Sequence, residues 1–525
     1  MGSQDRSEGP LLKRALLAAD RKDPIVPLAR GLSTRGVELY ATDGTRRHLE
    51  GLGIPCHGTE EITGITAWFG GRVKTLHPKL FGGILAPRDE AGSRELEALG
   101  LIAFDLVAVL FYPFEEAFSG GKEGAEELLE RIDVGGPSLL RAAAKNHRYV
   151  VPFSDPADTE GLLSEMDHSG GRVSPATRAR LAARAFRRTA LYDTAVNAWL
   201  ARVADPGTGR LTELVTFART GEGLRYGENP HQRAEVLSEV APPGVPLDPW
   251  PLVRLKGEAL SYNNYLDLER ALALVSEFDR PAAVVVKHAT PCGAATSDGL
   301  PAALEQALAT DPVARYGSAV AVNRPLTMEG VDALKGTFVD LLVGPSFPAE
   351  VIERLSRRPK LKLVQGSAPS REAPRWEART ATGRLLLQEA DRRELLSSEL
   401  KLVTRRAATD GELGSLPFAW KVVRHARSNA VALVRREATV GIGSGQTSRV
   451  GAVRVALEVA GDRARGSVLA SDAYFPFADG LEEAGRAGVR VILQPGGSIR
   501  DAEVVAAADR LDLAMYFCGW RVFRH

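Results

Sequence analysis

Short apolar runs recur along the chain, and stretches with helical periodicity lie between them. The runs are typical of strands buried in a parallel sheet, and they occupy residues 37–40, 104–111, 282–286, 338–343, 431–434 and 489–493. Apolar residues also recur at helical spacing and predict the buried face of a helix at Leu181, Ala185, Tyr192, Val196 and Trp199. This alternation of strand and helix predicts an α/β protein built in layers.

The chain is too long for a single hydrophobic core, because 525 residues suggest two or more domains. We predict a flexible tail at residues 1–10, a first domain over residues 11–204 and a second domain over residues 205–525. The boundary is placed at the Asp-Pro-Gly-Thr-Gly sequence of residues 205–209, which has the composition of a turn. A proline-rich stretch at residues 241–251 is expected to form a loop inside the second domain.

Composition excludes several classes of protein. The chain is 44% hydrophobic and 25% charged, as ordinary soluble globular proteins are. Its 67 basic and 66 acidic residues leave a net charge of +1, so no field of the whole protein attracts nucleic acid or a membrane. Three widely spaced cysteines fit a reducing compartment better than a disulfide framework. Without a membrane-length apolar run or an apolar signal core, the protein is expected to be cytoplasmic.

A Lys–His pair directly follows the apolar run at residues 282–286. Lys287 and His288 would therefore stand at the carboxyl end of a buried strand, where open α/β sheets keep their ligand crevices. Histidine moves protons near neutral pH, and a neighbouring cation can stabilise an oxyanion or protonate a leaving group. Taken alone, the dipeptide is more typical of a solvated strand end.

Eight further motifs, spread along the whole chain, change that interpretation. They are Gly-Arg-Val-Lys-Thr-Leu-His-Pro at 71–78, Tyr-Pro-Phe at 112–114, Ile-Asp-Val-Gly-Gly-Pro at 132–137, Arg-Ala-Ala-Ala-Lys-Asn-His at 141–147, Leu-Arg-Tyr-Gly-Glu-Asn-Pro-His-Gln at 224–232, Leu-Ser-Tyr-Asn-Asn at 260–264, Arg-Ser-Asn-Ala at 427–430 and Ser-Asp-Ala-Tyr-Phe-Pro-Phe at 471–477. In this order the chain resembles the bifunctional AICAR transformylase/IMP cyclohydrolase family, from about Leu16 to His525.

The resemblance implies both a fold and a pair of reactions. It implies an N-terminal methylglyoxal-synthase-like domain with a parallel sheet, and a C-terminal transformylase domain of two cytidine-deaminase-like halves, assembled as a homodimer. The implied reactions are the last two steps of purine (IMP) biosynthesis. They are formyl transfer from 10-formyltetrahydrofolate to AICAR, followed by dehydrative ring closure of formyl-AICAR to IMP. The expected co-substrate is therefore 10-formyltetrahydrofolate, and a monovalent cation is a further candidate.

Ring closure requires a proton acceptor, an oxyanion stabiliser and an acid that helps water to leave. Lys74, Tyr112, Asp133 and Lys145 match the positions of the family's catalytic residues. The lysines could stabilise the oxyanion or donate a proton, and Tyr112 and Asp133 could accept and relay protons, but spacing does not assign the individual roles. The resemblance also implies nucleotide contacts at Thr42, Thr45, Arg72 and Thr75.

The expected phosphate cradle departs from the family pattern. Where the family has Ser-x-Ser-Asp-Lys and Ser-Thr-Gly-Gly-Thr, this chain has Leu-Ala-Ala-Asp-Arg-Lys at 17–22 and Ala-Thr-Asp-Gly-Thr at 41–45. Hydroxyl donors are therefore missing at Ala18 and Ala41, and Leu110 stands where the family has Asn. A transformylase whose first domain no longer cyclises consequently remains an alternative.

Asp43 places an acid where the family has glycine beside the phosphate. A carboxylate next to a dianion is unfavourable unless it is paired. We therefore expect Asp43 either to weaken nucleotide binding or to be neutralised by a cation such as Arg21 or Arg46.

Formyl transfer requires deprotonation of a poorly nucleophilic amine. By resemblance, His288 is the base, Lys287 stabilises the oxyanion and protonates the folate nitrogen, and Asn429 orients the formyl oxygen. The other implied substrate contacts are Arg225, Tyr226, Gly317, Asp340, Phe475, Arg521 and Phe523. Among them the arginines suit phosphate, Asp340 suits ribose hydroxyls, and Phe475 suits the flat face of a pterin.

Two other functional interpretations fail on the residues themselves. The Pro-Cys-Gly-Ala-Ala sequence at 291–295 lacks the second cysteine of a zinc ligand pair, so no metal is expected. The Gly-Ile-Gly-Ser-Gly sequence at 441–445 lacks the full dinucleotide pattern and predicts a turn after a strand at 438–440. A non-catalytic purine-nucleotide-binding protein on the same fold stays open, although Lys287, His288 and Asn429 argue against it.

Overall fold

The computed structural model describes residues 10–65, 68–112, 114–120, 124–204, 217–239, 252–368 and 376–525. Two compact units are present: Met1–Ala218 with Ser238–Leu247, and Arg219–Leu237 with Asp248–His525. The predicted boundary at residues 205–209 and the predicted loop at 241–251 lie outside the described residues, as does nearly all of the predicted tail. No helix in the described part of the chain is long and apolar enough to cross a membrane.

The first unit contains a five-stranded parallel sheet, which confirms the predicted α/β domain. Its strands are β1 (Arg14–Ala19), β2 (Glu38–Ala41), β3 (His57–Gly58), β4 (Leu106–Leu110) and β5 (Val151–Phe153), in the order β3-β2-β1-β4-β5. Its helices are α1 (Val26–Thr34), α2 (Asp43–Gly51), α3 (Thr59–Thr63), α4 (Pro78–Leu85), α5 (Glu90–Ala98), α6 (Phe114–Gly120), α7 (Ala125–Glu130), α8 (Gly135–Lys145), α9 (Thr159–His168) and α10 (Pro175–Ala204).

Both faces of this sheet are buried, which explains why its central strands are apolar throughout. Along β4, Val107 and Val109 belong to one core cluster, while Leu106 and Ala108 belong to another on the opposite face. Because all five strands run in one direction, their carboxyl ends share one edge. The segments that follow β1, β2 and β4 therefore begin at the edge where α/β proteins bind ligands.

The second unit is built on a twelve-stranded mixed sheet, and it also contains the two-stranded sheet β14–β15 and most of the two-stranded sheet β6–β7. The strands are β6 (Phe217–Gly223), β7 (Glu235–Glu239), β8 (Val253–Lys256), β9 (Ala282–Lys287), β10 (Thr290–Thr296), β11 (Ser318–Val322), β12 (Val339–Gly344), β13 (Lys362–Gln365), β14 (Trp376–Ala381), β15 (Arg384–Glu389), β16 (Lys401–Leu402), β17 (Val431–Arg435), β18 (Ala438–Gly443), β19 (Val468–Ser471), β20 (Val491–Gln494) and β21 (Ala514–Phe517). The helices are α11 (Tyr262–Val275), α12 (Leu300–Ala309), α13 (Met328–Ala333), α14 (Ala349–Ser356), α15 (Asp410–Leu413), α16 (Leu416–Arg424), α17 (Arg449–Ala460), α18 (Asp479–Arg486) and α19 (Asp501–Arg510).

This large sheet is duplicated. One half has the order β8-β13-β12-β11-β9-β10 and the other has β16-β21-β20-β19-β17-β18. Parallel and antiparallel pairings occur at corresponding positions in both halves, which meet where β10 pairs with β18. The two related halves implied by the resemblance are therefore present, although no sequence repeat reveals them.

Glycines allow helices to pack directly on the strands at this junction. A Cβ at Gly293 of β10 would lie 2.1 Å from the Ala307 carbonyl of α12, and one at Gly441 of β18 would lie 2.1 Å from the Ala456 carbonyl of α17. The turn predicted at residues 441–445 is therefore wrong in part, because β18 continues through Gly443. These glycines serve close packing rather than nucleotide binding.

Candidate functional sites

The first candidate site lies at the carboxyl edge of the five-stranded sheet. Thr42 and Thr45 are both buried where β2 leads into α2. The Thr45 hydroxyl bonds the backbone N–H and carbonyl of Ala19, each at 3.2 Å, and accepts a 3.3 Å hydrogen bond from Thr42. The two hydroxyls thus tie the end of β1 to the first turn of α2.

Asp43 is paired within its own helix. Arg46 approaches its Oδ1 at 3.3 Å and Arg47 approaches its Oδ2 at 2.5 Å. Arg21, the other cation considered, instead pairs with Glu116. Asp43 was expected either to weaken nucleotide binding or to be neutralised by a cation, and in the structure its carboxylate is neutralised.

Asp133 lies at the beginning of α8, beside Thr75 and two glycines. Its Oδ1 accepts a 2.8 Å hydrogen bond from the Gly136 N–H. A Cβ at Gly136 would lie 2.3 Å from Asp133 Oδ2, and one at Gly135 would lie 2.3 Å from Thr75 Oγ1, so a larger residue at either position would displace one of these side chains. Burial raises the pKa of Asp133, while the Gly136 N–H and Lys74 partly offset that rise. A carboxyl group of this kind suits proton transfer.

Tyr192 supports this site from α10. Its hydroxyl accepts a 2.7 Å hydrogen bond from the Asp133 N–H, and burial raises its pKa to about 12. The phenol therefore stays neutral and fixes the backbone at Asp133. Tyr112 lies elsewhere at the same edge of the sheet, where the Arg131 guanidinium lies 4.5 Å from its ring centroid.

Two of the predicted residues have other neighbours. Arg72 is exposed and forms an ion pair with Glu130. Lys145 ends α8, the helix that begins beside Asp133, so about 15 Å of helix separates the two positions. There Lys145 lines a cavity of about 650 Å³ with Arg141 and other residues. Within one chain, Lys145 is therefore not brought together with Asp133.

The second candidate site is built on the hairpin between β9 and β10. Lys287 pairs with Thr290 across the hairpin, and the two residues between them have positive φ, 52° at His288 and 56° at Ala289. The expectation that Lys287 ends a strand of an open parallel sheet is corrected, because β9 is antiparallel to both of its neighbours, β10 and β11. For β10 the reason is the two-residue connection, which is too short for a parallel crossover.

The Lys–His turn faces a cavity of about 240 Å³ formed by both halves of the large sheet. Lys287 and His288 line it from the first half, and Ile442 and Ser444 line it from the second. The Lys287 ammonium donates a 2.9 Å hydrogen bond to the Tyr316 carbonyl. The pair is thus presented to a space whose volume is below that typical of drug-sized ligand pockets.

Asn429 is held by a buried network in the second half. Its Oδ1 accepts a 3.0 Å hydrogen bond from Arg449, and its Nδ2 donates a 2.9 Å bond to the Gln446 carbonyl. Arg449 in turn pairs with Asp472, whose side chain is fully buried. The Ser444 hydroxyl, which lines the cavity of the Lys–His turn, accepts a bond from the Arg427 N–H. This loop connects Asn429 to that cavity.

Asp340, at the start of β12, is fixed by two polar partners. Asn264 donates a 2.8 Å hydrogen bond to Oδ2, and the buried Lys362 approaches Oδ1 at 2.8 Å. Gly317 has a φ of 75° and donates a 2.7 Å hydrogen bond to the Phe338 carbonyl. Its conformation favours glycine, so its backbone rather than a side chain shapes this edge.

The two arginines predicted to bind substrate, Arg225 and Arg521, each lie beside an aromatic ring. Arg225 pairs with Glu258, and its guanidinium lies 5.2 Å from the Tyr226 ring centroid. Arg521 lies 4.4 Å from the centroid of the exposed Phe523 ring. The segment that holds Arg521 and Phe523 lies beside Asn429. The Ser428 N–H donates a hydrogen bond to the Arg524 carbonyl, and the Val522 N–H donates one to the Asp472 carbonyl.

Phe475 is fully buried in the core of the second half. Its ring therefore has no exposed face for a pterin in this structure. Phe477, two residues later, is 49% exposed and lies 4.7 Å from the Arg500 guanidinium. An exposed aromatic surface is thus present, but at Phe477.

Cys292 lines the cavity of the Lys–His turn, and burial raises the pKa of its thiol to about 12. In the part of the chain that the structure describes, His, Cys, Asp and Glu form no group of three or more able to hold a metal ion.

Three residues in these sites escaped the sequence interpretation: Asp267, which accepts a 2.6 Å hydrogen bond from the Ala289 N–H, and also Lys362 and Arg449. Each acts through another residue and is distant from it in sequence. Spacing along the chain carries no signal for such contacts.

Comparison with known proteins covers nearly the whole chain. A family model described as AICARFT/IMPCHase bienzyme matches residues 143–459, and one described as MGS-like domain matches residues 24–138. The bifunctional purine biosynthesis protein PurH of Chlorobaculum parvum is 42% identical over 523 residues, covering 98% of this chain and 99% of that protein. The PurH protein of Myxococcus xanthus is 42% identical over 519 residues, covering 97% of this chain and 100% of that protein. A solved structure, "Crystal structure of ForH", is 37% identical over 35% of this chain and 97% of that chain, with a TM-score of 0.31.

Proposed function

The chain belongs to the AICARFT/IMPCHase bienzyme family, and on this premise we propose that it catalyses the last two steps of IMP biosynthesis. The observation that supports formyl transfer most directly is the Lys287–His288 turn, which lines a cavity at the junction of the two halves. Ring closure is assigned to the first unit, where Asp133 has a raised pKa beside Lys74. Near-full-length relatives named bifunctional purine biosynthesis proteins, together with the matching bienzyme family model, favour the bifunctional enzyme over a transformylase alone or a non-catalytic binding protein.

In the transfer step, the 5-amino nitrogen of AICAR attacks the formyl carbon of 10-formyltetrahydrofolate. His288 accepts the proton of the amine, and Lys287 stabilises the oxyanion that forms. The C–N10 bond then breaks, and N10 of the folate takes a proton from Lys287, which releases tetrahydrofolate. Asn429 orients the formyl oxygen. The Oδ1 of Asn429 accepts from Arg449, and one N–H of its Nδ2 donates to the Gln446 carbonyl, so the second N–H of Nδ2 is available for this contact.

In the closure step, the carboxamide nitrogen of formyl-AICAR attacks the formyl carbon, and water leaves. We assign proton transfer to Asp133, with Lys74 stabilising the oxyanion. Thr75 and the N–H groups that begin α8 suit the polar atoms of the nucleotide. Thr42, Thr45 and Arg72 are assigned to nucleotide binding, and Tyr112 to proton relay. Lys145 is assigned a contribution to closure only if a second copy brings it to the site.

The remaining assignments concern the wider setting of the enzyme. We propose a cytoplasmic homodimer with 10-formyltetrahydrofolate as co-substrate and no partner among nucleic acids or membranes. Arg225, Tyr226, Gly317, Asp340, Arg521 and Phe523 are assigned to substrate binding at the transfer site, and at Phe475 only the backbone is assigned a contact. A monovalent cation remains a candidate for structural support.

The test follows the two reactions separately on purified protein. With AICAR and 10-formyltetrahydrofolate, the absorbance of tetrahydrofolate reports transfer, and the absorbance of IMP reports closure. We expect His288→Ala to abolish transfer while supplied formyl-AICAR is still closed, and Lys74→Ala to do the reverse. Matched controls are His168→Ala and Lys13→Ala, which change exposed residues outside both sites and should leave both rates unchanged. Loss of both activities in a well-folded His288→Ala protein would contradict the assignment to two sites.

A further inference from the structure

We propose that Asp267 is a positioning residue for formyl transfer, holding the strained His288–Ala289 turn in the conformation that presents His288 to the cavity. The proposal rests on the proposed function, because it concerns the base of that same reaction. Its basis is the geometry of the turn and of the helix beside it.

The turn is built from residues that do not favour its conformation. His288 and Ala289 both have positive φ, 52° and 56°, between the paired residues Lys287 and Thr290. Two-residue hairpin turns with positive φ at both central positions strongly prefer Asn-Gly or Gly-Gly. A Cβ makes this conformation unfavourable, most clearly at Ala289, which has no polar side chain to compensate. The surrounding structure must therefore hold the turn in place.

Asp267 supplies such a hold from α11. Its Oδ1 accepts the Ala289 N–H at 2.6 Å, and on the other side the Thr290 hydroxyl donates a 3.3 Å hydrogen bond to the His288 carbonyl. Asn264, one turn earlier on α11, donates to Asp340. The same face of one helix thus fixes both the turn and the carboxylate assigned to the ribose.

The charge on Asp267 gives a readout that packing alone would not produce. The ionisable groups around it are Lys287 and His288 on the turn and Asp340 on β12. A carboxylate favours the cationic form of a neighbouring group, so its removal should move the acidic limb of the pH–rate profile for transfer to lower pH.

Four variants separate these effects. Asp267→Ala removes both the acceptor and the charge, whereas Asp267→Asn removes the charge and keeps an acceptor at the same position. Ala289→Gly relieves the backbone strain, because glycine adopts positive φ without steric cost. Asp267→Ser, with a shorter side chain, replaces Asp267→Ala if that protein does not fold. The matched control is Arg436→Gly in the corresponding β17–β18 turn, where φ is 55°.

We expect Asp267→Ala to lower the kcat of transfer by about 10- to 100-fold, the range for loss of a charge-assisted hydrogen bond. The KM for AICAR should change by less than about twofold, since ground-state binding is left in place. Adding Ala289→Gly should restore roughly tenfold of the lost rate by relieving the strain. Asp267→Asn should keep most of the maximal rate and show the displaced pH profile. Arg436→Gly should match the wild type.

Wild-type kcat in Asp267→Ala would overturn the proposal, as would a loss of rate that Ala289→Gly does not rescue. Urea unfolding of each variant, compared with that of the wild type, reports whether the second unit is folded. A wild-type protein without formyl transfer would instead refute the proposed function, so the two failures are distinguishable.

Discussion

Replacing Asp472 should strongly destabilise the second unit. Among the ion pairs described for Arg449, Asp472 is the only partner of its buried guanidinium. The Asp472 side chain is 0% exposed and that of Arg449 is 5% exposed. The same carboxylate also accepts hydrogen bonds from the Ser428 hydroxyl and, at 3.0 Å, from the Ala430 N–H. Asp472→Ala therefore leaves one buried cation, one buried N–H and a half-buried hydroxyl without this acceptor.

The magnitude follows from burial. Removing one partner of a buried ion pair costs about 3–5 kcal/mol, since the remaining charge is stranded in a low-dielectric interior. Asp472→Asn should cost less, because the amide keeps one acceptor oxygen. Replacing both partners, in Asp472→Leu with Arg449→Met, should recover much of the stability, since no charge is then stranded. That double variant should still transfer the formyl group poorly, because Asn429 loses the donor that orients its Oδ1.

Urea unfolding at 25 °C, followed by the fluorescence of the buried Trp420, measures the free energy of unfolding of this unit. Ring closure by the same proteins is the internal control, since that activity is assigned to the other unit. A loss of less than about 1 kcal/mol in Asp472→Ala would refute the reasoning, because it would mean that the Arg449 guanidinium is solvated or finds another partner. Equal stability of the single and double variants would refute it as well.

Three further predictions concern other parts of the chain. Asp43→Gly should leave the affinity for IMP unchanged or weaken it, measured by calorimetry at low and high salt, because Asp43 is already neutralised and its loss removes the partner of Arg47, while Arg46 keeps Glu50 and Glu60; tighter binding would contradict this. His425 has a pKa lowered to about 4 by burial, against about 6.5 when unfolded, so its contribution to stability is present above pH 6.5 and is lost as pH falls towards 4, by up to roughly 3 kcal/mol. His425→Gln should flatten that part of the stability–pH curve, and an unchanged curve would count against the assignment. Gly441→Ala should destabilise by at least about 1–3 kcal/mol in urea, because its Cβ would meet a carbonyl at 2.1 Å, whereas Gly411→Ala, with no atom within 4 Å, should be close to neutral.

The sequence determined the layered α/β class and the approximate positions of the main buried strands. The runs at 104–111 and 282–286 became β4 and β9 because a strand covered on both faces must be apolar at every position. The ordered motifs also identified the family, because the chemistry of a site requires particular residue types in a particular order. These are local properties, and a single chain displays them directly.

Only the tertiary structure decided which residues meet. Strand pairing decided the duplication of the large sheet and the antiparallel neighbours of β9. Helix direction decided the separation of Lys145 from Asp133. Apolar patterns encode neither. The pairing of Asp43 with Arg47 and the burial of Phe475 were equally invisible in the motifs. The contact from Asp267 to Ala289 joins residues 22 positions apart through a backbone N–H, which every residue except proline possesses. Such a contact leaves no mark in the sequence, because its donor is the main chain and its geometry is set by how α11 packs against the hairpin.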